Sequence, residues 1–240
     1  MARYFIEVSY KGSNYSGFQV QQNANSIQAE IEKALKVFYK QKFELTGSSR
    51  TDAGVHAHQN FFHFDADIVL KDDSYNLNAM LPADIVIKQV FRVADEAHCR
   101  FDAISREYHY YIYQQKNPFL RGMAYHVPYT LDFTLLQQAA AEIMNYNDFT
   151  SFCKRNTQAK NFLCNIYTSE WVQEADCMVY KIKANRFLRG MVKGLVGTML
   201  LTGKKKITLQ EFKAIIEIKD CTKADFSAPP QGLILSKVEF

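Results

Sequence analysis

Arg3-Tyr4-Phe5-Ile6-Glu7-Val8-Ser9-Tyr10 alternates between two side-chain sets, Tyr4, Ile6 and Val8 against Phe5, Glu7 and Ser9. That period of two is the one a half-buried strand requires. Gly12 and Gly17 then mark a loop. From Asn25 and Ser26 the period changes: Ile27, Ile31, Ala34, Leu35 and Phe38 recur at helical spacing, with Asn25 and Gln28 as an approximate capping pair. The pattern predicts a helix over 26–39. Residues 42–45, 59–64 and 85–93 read as further strands. A strand, helix, strand, strand order is that of an α+β sandwich.

Beyond residue 103 the order begins again. Tyr108, Tyr110 and Ile112 alternate with His109, Tyr111 and Tyr113 as a strand, and Leu135, Leu136, Ala139, Ala140, Ile143 and Met144 mark a helix. Residues 164–171 and 178–184 read as paired strands, followed by an apolar helix over 187–201. Thr208 and Glu211 carry the capping-box signature of a second helix, and 233–240 closes the chain as a strand. Two α+β halves, 1–103 and 104–240, are expected. Their shared order suggests an internal duplication, without a residue-level repeat to carry it.

Composition narrows the class. A chain of 240 residues with 48% hydrophobic and 22% charged residues is an ordinary globular protein, neither disordered nor fibrous. Its net charge of +4 permits a nucleic-acid partner without requiring one. The 14 tyrosines suit cores and base-stacking surfaces alike. Five widely spaced cysteines with no C-x-x-C pair suggest neither a disulfide framework nor a zinc knuckle, and a reducing cytoplasm is the expected home. The opening segment reads as a strand rather than a secretory signal, and the longest apolar stretch, 187–201, is broken by Arg189 and Lys193, so no membrane span is expected.

Several chemistries drop out. There is no G-x-S-x-G and no G-x-G-x-x-G after a strand. The stretch 197–204 resembles a phosphate loop but has one residue too many between its glycines and Lys205 where Ser or Thr is needed for magnesium. No nucleotide cofactor is expected. His56 and His58 share a strand face, which allows a metal pair, whereas His63 at odd separation points to the other side, as histidines of an ordinary strand also would. No metal is assigned.

Gly47-Ser48-Ser49-Arg50-Thr51-Asp52-Ala53-Gly54-Val55-His56-Ala57 is the most unusual stretch. Small residues around an Arg and an Asp suit a tight loop where backbone approaches a ligand, although such a turn alone serves structure as readily as catalysis. Far along the chain, Arg186, Arg189 and Lys193 are spaced by three and four, predicting a cationic stripe on an otherwise apolar helix. A buried cation needs a carboxylate, and Lys193, deepest in that helix, needs one most; Arg186 and Arg189 can instead reach solvent.

The segment 50–57 closely resembles the catalytic-loop motif of the TruA family of tRNA pseudouridine synthases. Tyr10, Gly12, Tyr15, Gly17 and Gln19 resemble the family's opening loop, and Leu81-Pro82-Ala83-Asp84-Ile85 and Arg100-Phe101 its middle segments. Arg106-Glu107-Tyr108-His109-Tyr110 resembles its tyrosine motif, and Asp148-Phe149-Thr150-Ser151-Phe152 its second-half loop. Ala184-Asn185, Phe187, Met191-Val192 and Gly197 resemble its buried helix, and Ala228-Pro229-Pro230-Gln231-Gly232-Leu233 its ending.

The resemblance implies two ferredoxin-like halves joined along a continuous antiparallel sheet, an active cleft between them, and a homodimer that holds tRNA. It implies an isomerisation of uridine at positions 38 to 40 of the anticodon stem-loop, needing no cofactor or metal. Asp52 is the expected catalytic carboxylate, as a nucleophile or as a base on the ribose. Lys193 stands where the family commonly has Arg and is expected to pair with Asp52, with less rigid geometry than Arg would give. Tyr108 is expected to stack on the target uracil. Arg50 is placed to fill the gap left by the extruded nucleotide, against a flipping cost of a few kcal/mol. Arg106, Arg186 and Arg189, with Arg100, Lys154, Arg155 and 204–206, are the expected phosphate contacts.

Three departures stand out: Ser49 for the family's Gly, Phe18 where Trp is common, and His58-Gln59-Asn60 where a Gly-Gln pair is usual. These positions are expected to border the RNA cleft. Two alternatives follow, a paralogue modifying other tRNA or rRNA uridines and a catalytically silent RNA-binding protein. Retention of Asp52 argues against the second.

Overall fold

The computed structural model describes residues 1–155, 157 and 159–240. Among them are nine strands: β1 (Ala2–Tyr10), β2 (Thr46–Gly47), β3 (His56–Ala66), β4 (Ile85–Arg92), β5 (Ser105–Tyr113), β6 (Tyr125–His126), β7 (Ile166–Glu174), β8 (Cys177–Ala184) and β9 (Leu233–Glu239). Five α-helices accompany them: α1 (Ile27–Tyr39), α2 (Ser74–Asn78), α3 (Phe133–Ile143), α4 (Met191–Gly203) and α5 (Leu209–Glu217). The protein is therefore α+β. It forms two compact units, Met1–Ile104 together with Ile234–Phe240, and Ser105–Leu233. The second half expected over 104–240 differs in its last strand: Ile104 N–H donates to Glu239 O at 2.8 Å, and β9 lies beside β3.

In the first unit the strand order is β4-β1-β3-β9, with β2 on β3. β1 is antiparallel to both neighbours, whereas β9 runs parallel to β3, pairing Ile234 with His56. The sheet is thus mixed where a wholly antiparallel one was expected. Parallel neighbours need a long connection rather than a hairpin, and much of the chain separates β3 from β9. The alternation in β1 is real, yet Tyr4, Phe5, Ile6 and Val8 are all buried because both faces are covered. Tyr4 packs near Phe64, while Phe5 on the other face meets Phe61, His63, Phe91 and Phe240.

α1 buries Ile27, Ile31, Ala34 and Leu35, and its cap is Ser26, whose hydroxyl accepts from Ala29 N–H, rather than the expected Asn25. The strand expected over 42–45 does not form. Phe43 and Leu45 are buried as a strand pattern would have them, but Gln28 of α1 donates to Leu45 O and Glu32 accepts from Leu45 N–H, replacing a strand partner. The short helix α2 was not apparent in the sequence; Asn78 fixes its end by bonding both N–H and C=O of Ile87.

In the second unit β8 lies between β5 and β7, antiparallel to both, and β6 adds parallel to β5. α3 is capped by Asp132, and α5 carries the full Thr208–Glu211 capping box. α4 is buried on almost every side, as a helix without a polar face must be. Trp171 of β7 packs into this core and donates to Met199 Sδ at 3.4 Å.

Candidate active site

The loop between β2 and β3 is built from buried hydrogen bonds. Ser48 N–H donates to Phe61 O, Phe18 N–H donates to Thr51 O, and Val55 N–H closes a turn on Asp52 O. The Tyr10 hydroxyl meets Thr51 Oγ1 at 2.8 Å, and Asn60 Nδ2 donates to Ser49 O at 2.8 Å and to Tyr10 Oη at 3.2 Å. His56 is buried and its Nδ1 accepts from Gly12 N–H. Ser48, Ser49, Thr51, Val55 and His56 therefore face inward, while Arg50, Asp52 and Ala53 are exposed. Ser48 Oγ and Ser49 Oγ are buried without a hydrogen-bond partner among the described residues, but the backbone and the Tyr10, Thr51 and Asn60 bonds fasten the loop from its inner side and hold its acid outward. Beneath it, Phe18 stacks on Phe62 at 4.3 Å between ring centroids.

Two distant motif segments meet beside this loop. Tyr15 donates its hydroxyl to Asp84, and Lys11 N–H donates to Asp84 O. Burial and then that carboxylate push the Tyr15 phenol up. On another side, Arg50 borders a pocket of 230 Å³ with Phe18, Gln19, His98, Arg100 and Phe101.

In the second unit Tyr108 sits on β5, nearly buried, with its ring edge-to-face against Phe187 at 5.0 Å. Two residues earlier, Arg106 donates to Asn185 O at 3.1 Å. Arg186 donates to Asn161 Oδ1, and Arg189 O accepts from Lys154 N–H. The structure thus gathers Arg106, Tyr108, Arg186 and Arg189 around one stretch, 185–190. It does so without the expected helical stripe, because α4 begins only at Met191. Arg186 and Arg189 lie in the irregular segment before it, and Lys193, in the first turn, is half-buried rather than deepest.

The chain matches the family described as tRNA pseudouridine synthase over residues 6–102 and 139–240. The chain belongs to the tRNA pseudouridine synthase family. It is 42% identical over 243 residues to the tRNA pseudouridine synthase A of Parabacteroides distasonis, covering all of this chain and 96% of that protein. The Bacteroides thetaiotaomicron protein of that name is 43% identical, over all of this chain and 91% of its own. The Staphylococcus aureus one is 36% identical, over 98% of this chain and 91% of its own.

In this pseudouridine synthase Phe18, Ser49 and Asn60 are buried and bonded into or beneath the loop, Phe18 also lines the pocket beside Arg50, and of the segment 58–60 only His58 is exposed. Gln59 donates to Glu7 and accepts from Val238 N–H. The histidines do not assemble as ligands: among the described residues no group of three metal-binding side chains forms. His63 instead lies against Cys99, Nδ1 to Sγ at 3.1 Å, and burial, with smaller effects of His98 and Arg3, pushes its pKa down to about 4. Among the described residues no helix is long and apolar enough to cross a membrane.

An Asn in a strand pattern carries no sign of whether its amide turns inward, so the sequence does not show that Asn60 bonds the loop. His98 has no sequence signal at all, because it acts through a turn in which it accepts from Arg100 and Phe101 N–H and packs on the Phe101 ring.

Proposed function

We propose that the protein isomerises uridine to pseudouridine in the anticodon stem-loop of tRNA, at positions 38 to 40, with Asp52 as its catalytic carboxylate. The reaction breaks the N1–C1′ bond, turns the uracil and joins C5 to C1′. The C5 proton is lost and N1 gains one, so atoms and electrons balance without a redox partner. The observation that carries this reading is the loop itself, which exposes Asp52 while burying and bonding the residues around it. A nucleophile or base works best when held in one geometry before substrate arrives.

Tyr108, Lys193 and Arg50 take their roles from their places in the family's motifs. Tyr108 stacks on the uracil, Lys193 supplies the cation that pairs with Asp52, and Arg50 occupies the space left by the flipped base. Arg106, Arg186 and Arg189 contact phosphates. The enzyme works in the cytoplasm as a homodimer.

Purified protein incubated with tRNA and no cofactor converts uridine to pseudouridine at these positions, read by mapping the modified sites. Asp52→Ala lowers the rate about a thousandfold or more while thermal unfolding stays cooperative. Activity surviving in that variant removes Asp52 from the chemistry. Product at other uridines instead moves the enzyme to a different RNA target, and tight tRNA binding without product makes it a binding protein.

A further inference from the structure

The pocket beside Arg50 includes side chains to which the isomerisation of a single uridine gives no role, His98 and Phe101 among them. Its lining includes two guanidinium groups, Arg50 and Arg100, and no carboxylate. At 230 Å³ it is smaller than a drug-sized site and suits one planar group. Phe101 is 75% exposed, with the Arg100 guanidinium over its ring, 5.8 Å from the ring centre. A single exposed Phe is unremarkable by itself. This one is held in place.

The turn that carries it is closed by His98. Arg100 N–H and Phe101 N–H both donate to His98 Nδ1, Asp102 N–H donates to His98 O, and His98 N–H donates to the Asp102 carboxylate. The His98 ring lies 4.2 Å from that of Phe101 and 4.5 Å from that of His63. Cys99, next in the turn, is fully buried against His63, its Sγ donating to Thr46 O at 3.2 Å. Phe101 therefore stands on a ladder of rings anchored in β2 and β3, and a platform ordered before binding loses little entropy on binding.

We propose that this pocket binds a nucleotide next to the target uridine, its base stacked on Phe101 and its phosphate against Arg100. The inference rests on the reading of the protein as a pseudouridine synthase. Arg50 is two residues from Asp52, so a strand whose target base reaches Asp52 passes this pocket with the neighbouring residue. Aromatic stacking tolerates any base, so the pocket holds the strand open beside the flipped uridine without reading its sequence.

The test uses anticodon stem-loop RNAs that are intact or carry an abasic residue on one side or the other of the target uridine. Wild type, Phe101→Ala, Arg100→Gln and Tyr75→Ala are compared for RNA binding by anisotropy and for single-turnover product formation. Tyr75 is 87% exposed and outside the pocket lining. Phe101→Ala binds intact RNA about tenfold more weakly, and one of the two abasic RNAs costs wild type the same but costs Phe101→Ala nothing further. The rate from bound RNA stays within about twofold. Arg100→Gln reduces the salt dependence of binding by about one ion. Tyr75→Ala matches wild type. The proposal is overturned if Phe101→Ala binds intact RNA as wild type does, or if its loss adds in full to that of both abasic RNAs. Should wild type form no pseudouridine, the activity reading falls, and the binding comparison still decides the pocket.

Discussion

The loop around Asp52 and the basic segment ahead of α4 both present charged side chains, but they are held by different means. The first is fastened by side chains from below: Tyr10 and Asn60 each spend a buried polar atom on it, and His56 at its far end accepts from Gly12 N–H. The second is fastened mainly through its own backbone, by Lys154 N–H on Arg189 O, Asn185 N–H on Asn165 O and Arg106 on Asn185 O. An acid that must meet one atom of its substrate needs a fixed position, whereas cations that meet phosphates act over a longer range and tolerate adjustment. The two regions should therefore respond differently to disturbance.

The largest effects come from close backbone approaches. A Cβ on Gly12 would lie 2.0 Å from Val55 O, and one on Gly197 of α4 would lie 2.1 Å from Asp225 O. Either contact forces backbone to move, so Gly12→Ala and Gly197→Ala each cost about 3 kcal/mol or more in chemical denaturation. Below both unfolding transitions the consequences diverge. Gly12→Ala displaces the end of the Asp52 loop and lowers kcat sharply, while Gly197→Ala loses stability more than kcat. Equal losses of kcat would break the distinction between the Asp52 loop, whose position serves the reaction, and the buried core of α4, which serves stability.

Next in size is an effect confined to the first unit. Burial holds the His63 pKa at about 4, below its ordinary 6.5. In the window between these values the unfolded chain binds more protons than the folded one, so stability rises with pH. It is complete above pH 6.5 and falls as pH drops towards 4, by about 3 kcal/mol at most. Urea denaturation at several pH values should show that slope, and His63→Gln should flatten it. A slope unchanged in that variant assigns the pH dependence to other groups.

The same contrast explains what the sequence disclosed. Elements with a strong period and a local cap, such as β1, α1 and the Thr208–Glu211 start of α5, were legible because their determinants are neighbours in the chain. The start of α4 was not, since Phe187 and Leu188 continue its apolar run and nothing in that run says that the helix waits until Met191. Nor was the fate of 42–45, where α1 side chains rather than a strand satisfy Leu45. The parallel pairing of β9 depends on the path of the whole chain. At the site, the Arg50-Thr51-Asp52 motif was readable by resemblance, but the inward turn of Asn60 and the ring ladder under Phe101 join residues far apart in sequence.

A smaller change sharpens the account of the loop. Tyr10→Phe keeps the ring and removes the hydroxyl that meets Thr51 and accepts from Asn60. Leaving two buried polar groups short of a partner costs about 1–3 kcal/mol. With the Asp52 loop less fixed, kcat falls about tenfold and KM stays near its wild-type value, because the lost interaction serves the reacting geometry rather than RNA affinity. A rise in KM alone would place Tyr10 in binding.

The smallest effect belongs to the basic segment. Arg189 is exposed, and the bond its residue supplies to Lys154 N–H is made by the main-chain carbonyl, which survives a change of side chain. Arg189→Gln should alter stability by no more than about 0.5 kcal/mol, as exposed substitutions usually do. If the side chain meets a phosphate, tRNA binding weakens and the slope of log affinity against log salt falls by about one, while kcat at saturating tRNA is unchanged. The pairing with Tyr10→Phe is what makes the result informative: one variant loses rate and keeps affinity, the other loses affinity and keeps rate. A loss of kcat in Arg189→Gln at saturating tRNA would mean that this segment too must hold a fixed geometry, and the division of labour between the two regions would fall.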